Sequence, residues 1–234
     1  MTQRKLSVKH PNLPTENKDK FSFIWLGQTI CRYEVPFDIF NVINGIYETN
    51  FRNLPDAHKQ LVGKIEKENS LFFDGVKNTK MHSHNLLPPY VLNWFTSKFK
   101  HYLDFNNIFP YELHLNSIWI NEMKAGEYNP VHIHQGTLYT GLSSVMFLRL
   151  SKDMGPEFAR PDSPMNGKLQ IMGAANGQFV KGDYSPLTQE RDFYIFPYDM
   201  RHCVYPHTNP NAMRRTLSAN MDVTYNPVKT RTAQ

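Results

Sequence analysis

The chain has 234 residues, 40% of them hydrophobic, with 16 Phe, 12 Tyr and 3 Trp, which is enough apolar mass for one substantial core and excludes a disordered polymer. The formal charge of +5 comes from basic residues scattered along the chain instead of gathered in a stripe, which fits a solvated basic surface better than a dedicated nucleic-acid face. Two cysteines, Cys31 and Cys203, are too few for a secreted disulfide framework, and no apolar run reaches the roughly 20 residues of a membrane span, so a reducing, cytoplasmic setting without a membrane is expected.

Residues 1–20 are polar, hold two prolines and show no periodicity, so a flexible arm without a secretory apolar region is expected. FSFIWLGQTICRYEVP reads as one or two strands, and Pro36 opens a helix over Phe37 to Tyr47. Pro88 introduces a second helix, PYVLNWFTSKFKHYLDF, in which Val91, Leu92, Phe95, Phe99, Tyr102 and Leu103 recur at helical spacing. Both helices need a sheet to cover.

From Tyr111 the texture changes to short β-rich runs: YELHLNSIWINEM, TLYTGLSSVMFLRL, GKLQIM, GQFVKG, RDFYIFP, RHCVYP and RRTLSANMDVTYN. Turns such as Lys124-Ala-Gly126, Met165-Asn-Gly167 and Asn209-Pro-Asn211 separate them. Roughly seven strands at that spacing predict a sandwich or jelly-roll barrel. Helices first and strands afterwards make the fold α+β, mainly β, instead of alternating βαβ units. A single domain is expected, with 21–110 as helical and strand support and 111–234 as the β core.

In Asn129-Pro-Val-His-Ile-His-Gln135 an extended backbone turns His132 and His134 to one face, about 6–7 Å apart, because strand side chains alternate with period two. Two imidazoles so placed can grip one metal ion, although any His-x-His in a sheet shares this geometry. His82-Ser-His84 repeats the spacing just ahead of a helix, without a later partner, and reads as loop surface. His10, His58, His101 and His114 lack neighbours of ligand type and read as surface or satisfied, partly buried histidines.

A third histidine, His202, begins a short strand after the Phe196-Pro197 turn, and the strand from Arg214 to Val223 is expected to run back beside it. In that last strand Arg214, Thr216, Ser218 and Asn220 alternate with Arg215, Leu217, Ala219 and Met221, so one face is wet and one packed. A polar face on an apolar strand is costly unless it lines a cavity. There Arg214 offers a planar, always-charged fork for a carboxylate, and Thr216 adds a hydroxyl. The competing reading of Arg214 is a surface ion pair.

Trp119-Ile-Asn121, Gly126, Pro130-Val-His132-Ile-His134, Ser143-Ser-Val-Met-Phe-Leu148, Phe196-Pro197, His202-Cys-Val-Tyr-Pro206 and Arg214-Arg-Thr-Leu-Ser-Ala-Asn220 follow one another in order within residues 111–223. This ordered set resembles the 2-oxoglutarate and iron(II)-dependent oxygenases, in a phage and marine bacterial branch with prolyl-hydroxylase-like features. The resemblance implies a double-stranded β-helix (jelly-roll) barrel with the N-terminal helices packed on one face. It implies Fe(II) held by His132, His134 and His202, and 2-oxoglutarate as co-substrate with its distal carboxylate on Arg214. Thr216 and Asn121 belong by the same resemblance to that pocket, and O2 is the oxidant. The implied activity is a dioxygenase that hydroxylates a C–H bond while 2-oxoglutarate is decarboxylated to succinate.

A prolyl or other protein side chain is the substrate expected by analogy, with nucleic-acid bases and free small molecules as further classes. The mouth is expected to draw on the N-terminal part and on the connection from Ser151 to Gly167, and Asp183-Tyr-Ser-Pro-Leu187 reads as an exposed loop or a lid. The commoner superfamily pattern has a carboxylate where His134 stands, which leaves open an Asp or Glu from elsewhere with His134 behind it. Two other classes stay open. A three-histidine cupin-type metalloenzyme without 2-oxoglutarate would turn Arg214 away from the metal, and in a non-enzymatic jelly-roll binding or virion module the histidines need not converge. Oligomeric state is not legible from strand faces.

Overall fold

The structure, a computed structural model, describes residues 21–25, 27–57, 62–75, 84–157, 164–174, 177–178 and 180–225. The expected N-terminal arm, His10, His58, His82 and part of the connection from Ser151 to Gly167 lie outside the described residues.

Strands β1 (Phe21–Trp25) and β2 (Thr29–Glu34) form an antiparallel pair. Helix α1 (Phe37–Asn50) starts after Pro36, whose φ of −56° suits a helix entry. It runs past the expected Tyr47, and Ile39, Ile43 and Tyr47, spaced by four, form its buried stripe. Strands β3 (Lys67–Phe73) and β4 (His84–Asn85) follow, neither anticipated from sequence. His84 pairs with Phe73 and is half-buried, so its reading as loop surface does not hold.

Helix α2 (Pro89–Phe105) carries Pro in its first turn, where an amide donor has no partner to lose, and buries Val91, Phe95, Phe99, Tyr102 and Leu103. It stops where Asn107 takes a φ of +55°, a left-handed conformation that asparagine tolerates.

The remaining strands are β5 (Tyr111–Met123), β6 (Asn129–His132), β7 (Gly141–Leu150), β8 (Leu169–Met172), β9 (Asp183–Tyr184), β10 (Asp192–Pro197), β11 (Arg201–Val204) and β12 (Arg214–Tyr225). An eight-stranded sheet runs β1-β2-β10-β7-β12-β5-β3-β4, and a four-stranded sheet runs β6-β11-β8-β9. All pairings are antiparallel. The protein is mostly β with two helices, and among the described residues no helix is long and apolar enough to cross a membrane.

Two expectations need correction. GQFVKG forms no strand among its described residues, because the backbone rejoins β8 only at Gly182, whose carbonyl accepts from the Gly173 N–H at 2.8 Å; β9 follows. The strand of Arg214 does not run beside that of His202. β12 lies between β5 and β7 in the large sheet, while β11 belongs to the small one.

Alternation along β12 divides the molecule into layers. Leu217, Ala219, Met221 and Val223 join α1 and α2 in one core. There the Phe193 ring of β10 lies 5.2 Å from Trp94 and 5.5 Å from Phe95. A second core, between the sheets, packs Val145, Phe147 and Phe196 against Leu169, Ile171 and Val204. The large sheet is thus backed by helices, and its other face is left to the small sheet and the space between them.

Candidate metal centre and its cavity

His132 ends β6 directly opposite His202 of β11, and opposed residues of an antiparallel pair share a face. His134 lies one pleat further on. Its backbone N–H donates to the Tyr198 carbonyl at 2.9 Å, which holds the segment in place beyond the end of the strand. One ligand-capable atom from each ring then falls within 4.8 Å of the others. The Nε2 atoms of His134 and His202 are 3.0 Å apart. Two nitrogens each about 2.1 Å from one ion, at right angles, stand about 3.0 Å from each other. The pair therefore fits a shared metal without rearrangement.

The tautomers follow from the backbone. His132 Nδ1–H donates to the Pro130 carbonyl at 2.7 Å and His202 Nδ1–H to the Met200 carbonyl at 3.0 Å. Each bond leaves the Nε2 lone pair for the metal, the usual arrangement for a ligating histidine. Burial pushes the His202 imidazole down to about 3, with His132 adding to the shift. Burial also lowers His132, partly offset by Pro130, and holds His134 well below the usual range together with its two neighbours. All three are neutral, the form a metal requires. Among the described residues no Asp or Glu joins the group.

The rings open onto a cavity of about 260 Å³ between the sheets. Arg214, Thr216, Ser218 and Asn220, the polar face of β12, line it. From β5 come Asn121, opposite Thr216, and Trp119, opposite Ser218.

Arg214 is 2% exposed. Its Nε–H donates to the Gly167 carbonyl at 2.9 Å and Nη1–H to Thr216 Oγ1 at 3.3 Å, its guanidinium carbon lies 5.1 Å from the Phe147 centroid, and Nη2 has no partner. Among the described residues no carboxylate pairs with it. Burial brings its pKa down only to about 10, so it remains a cation. A buried cation without a counter-charge is costly, and an entering anion offsets that cost. Asn121 Oδ1 on the same wall also lacks a partner. Thus His132, His134, His202, Arg214, Thr216 and Asn121 share one cavity.

Some residues of the site were not anticipated. Glu68, on β3, lines the same wall at 1% exposure. Asp222 binds the turn that follows His134 and stands in the same period-two register as Arg214 and Asn220, a signal the alternation contained. Asp183 and Tyr184, read as part of a loop, are paired with β8, and only the residues after them leave the sheet, with Leu187 89% exposed.

Residues 117–220 match the family described as "Putative 2OG-Fe(II) oxygenase". No curated protein sequence matches the chain. Among solved structures, an oxidoreductase of the 2OG-Fe(II) oxygenase family from Burkholderia pseudomallei is similar at 14% identity and a TM-score of 0.51, over 78% of this chain and 77% of that one. A prolyl hydroxylase from Trichoplax adhaerens, solved with a hypoxia inducible factor oxygen degradation domain peptide fragment, is similar at 12% identity and a TM-score of 0.50, over 88% of this chain and 87% of that one. AviO1 from Streptomyces viridochromogenes gives 12% identity and 0.50, over 86% and 90%. At these identities the structural likeness concerns the fold.

Proposed function

We infer that this chain, through residues 117–220, belongs to the 2-oxoglutarate- and Fe(II)-dependent oxygenases and acts as a hydroxylase. The observation that carries the reading is the sharing of one cavity by three converging imidazoles and a buried guanidinium with no anion of its own. On this reading the two facing sheets are a double-stranded β-helix.

When bound, Fe(II), 2-oxoglutarate and O2 supply the oxidant, with the oxo-acid leaving as succinate and CO2. His132, His134 and His202 hold the metal through nitrogens whose lone pairs are already freed by the backbone bonds of His132 and His202. Arg214 binds the distal carboxylate through its free Nη2–H, while Thr216 orients the guanidinium and Asn121 meets the co-substrate from the neighbouring strand. Phe196, Val145, Leu169 and Val204 form the apolar part of the wall and limit water at the centre. By analogy alone, the C–H bond belongs to a prolyl or other protein side chain.

A carboxylate-free set of three neutral ligands favours one second reading, a cupin-type metalloenzyme without 2-oxoglutarate. Anaerobic titration of the Fe(II)-loaded protein with 2-oxoglutarate separates the two. The oxygenase reading expects a visible metal-to-ligand absorption band and, on admitting O2, succinate. Both are lost in Arg214→Ala while iron is retained; iron binding with no response to 2-oxoglutarate would establish the cupin reading.

A further inference from the structure

Resting on the oxygenase reading, we propose that Trp119 and Asn220 hold a secondary amide of the substrate beside the histidine group. Besides Asn129 Oδ1, the cavity wall carries buried polar atoms without partners at two places. One is the arginine end, with Arg214 Nη2 and Asn121 Oδ1. The other has Trp119 Nε1 and Asn220 Oδ1, on side chains each 5% exposed.

The register of the large sheet locates the second pair. Along β12 the order on the cavity face is Arg214, Thr216, Ser218, Asn220, and β5 sets Asn121 opposite Thr216 and Trp119 opposite Ser218. The Trp119 ring lies 6.0 Å from that of His134. Phe196, 4.8 Å from the His202 ring, is level with Asn220 through Ser143. Trp119 and Asn220 therefore flank the histidines. Six residues of strand, about 20 Å at ~3.3 Å each, separate the α-carbons of Arg214 and Asn220, more than a five-carbon diacid held by Arg214 covers. A diacid anchored on Arg214 and reaching the histidines therefore stops short of Asn220, which is left to the substrate.

The chemistry of the pair defines what it takes. Trp119 Nε1 is only a donor and Asn220 Oδ1 only an acceptor. The two residues are diagonal neighbours across β5 and β12, about 7–8 Å apart in such a ladder. One hydroxyl meets both atoms only if they converge on a point. A secondary amide presents its carbonyl and its N–H on separate atoms pointing opposite ways, which matches a donor and an acceptor spread along the wall. Phe196, Val145, Ser144 and Ser218 complete the wall near this pair, while the carboxylate of the cavity, Glu68, stands on β3 opposite Asn121 at the arginine end.

The test uses the full chain, labelled with nitrogen-15 and loaded with diamagnetic Zn(II) and 2-oxoglutarate. The Trp119 indole signal is identified by its loss in Trp119→Phe. Probes are the N-methylamides of N-acetylproline and N-acetyl-N-methylleucine, the matching methyl esters, which lack a secondary amide, and cytidine as a nucleobase. The expected result is a saturable shift of the indole signal with the methylamides and a weaker one with the esters. Asn220→Leu, or Asn220→Ala should that variant not fold, raises the half-saturating methylamide concentration by about tenfold, the loss of one good hydrogen bond, with 2-oxoglutarate affinity unchanged. Three results overturn the amide assignment alone while 2-oxoglutarate still binds through Arg214: methylamides without effect, cytidine shifting the signal in their place, or 2-oxoglutarate itself saturating the shift. Failure of 2-oxoglutarate to bind at all overturns the oxygenase reading and this proposal with it.

Discussion

His132 of β6 stands directly across the ladder from His202 of β11, and His202 in turn brings its Nε2 to 3.0 Å from that of His134. The small sheet thus supplies all three nitrogens from one strand pair and its short extension, so loss of one ring leaves the other two in place. His202→Ala is expected to lower metal affinity by more than about a hundredfold, exceeding what loss of a supporting residue alone costs. Apo stability should change by less than about 2 kcal/mol, since the ring removed is a neutral, half-satisfied group. Competition against a chromophoric chelator, beside urea denaturation, checks both.

Arg214→Lys is not a conservative change here. The guanidinium spends Nε–H on Gly167 and Nη1–H on Thr216 and keeps Nη2 for a ligand, whereas a lysine has one nitrogen for all three tasks. The variant should bind iron normally and weaken 2-oxoglutarate by about 2 kcal/mol or more, roughly thirtyfold, as expected when a buried charge-assisted pair loses its geometry. Equal co-substrate affinity in the anaerobic titration would place the carboxylate elsewhere.

The polar face of β12 was legible because Arg214, Thr216, Ser218 and Asn220 keep strict period two and contrast with Leu217 and Ala219. The stripes of both helices were legible for the same reason at period 3.6. β3 was not, because a register shift between Ser70 and Phe72 breaks its alternation, so Glu68 went unseen. Asp222 continues the same alternation, because the extra residue at the shift beside Asn220 and Met221 lies on β5, but no local pattern shows that its carboxylate caps the turn after His134. Which sheet β11 joins depends on pairings distant in sequence, and no local pattern records that. The convergence of His202 on His132 could be expected only from the ordered motifs, while its geometry comes from the ladder.

Acid should weaken the flank of the large sheet through Glu122. This carboxylate accepts from Arg215 Nε–H at 3.0 Å and Nη2–H at 2.8 Å, and from Lys67 Nζ at 3.0 Å. Burial alone would raise its pKa, but the hydrogen bonds and charges of Lys67 and Arg215 outweigh burial and hold it below its ordinary 4.5. A group lowered on folding contributes stability that is complete above its unfolded pKa and is lost as pH falls through the folded one. Urea denaturation from about pH 6 down to about pH 3 should therefore show stability falling below the ordinary carboxylate value. Glu122→Gln should start less stable and lose less over that range. Parallel acid limbs for the two proteins would mean that other carboxylates carry the effect.

Asp222 fixes the turn that follows His134. Buried at 2% exposure, it accepts from the Thr137 N–H at 2.9 Å, the Leu138 N–H at 3.3 Å and the Tyr198 hydroxyl at 3.1 Å. The Tyr198 carbonyl meanwhile accepts the His134 N–H. Gly136 lies so close to the carboxylate that a Cβ there would collide with Asp222 Oδ1. The turn, the tyrosine and the aspartate are therefore one unit, and His134 is positioned by it. Asp222→Ala leaves two amides and a hydroxyl unmet and should cost about 3 kcal/mol of stability, together with a fall in metal affinity of about tenfold to a hundredfold, as for other residues that orient a ligand. Asp222→Asn, which keeps an acceptor, should recover much of both, and Tyr198→Phe should cost only about 1 kcal/mol. If metal titration of the folded Asp222→Ala protein gave wild-type affinity despite lost stability, Asp222 would serve the fold and not the centre.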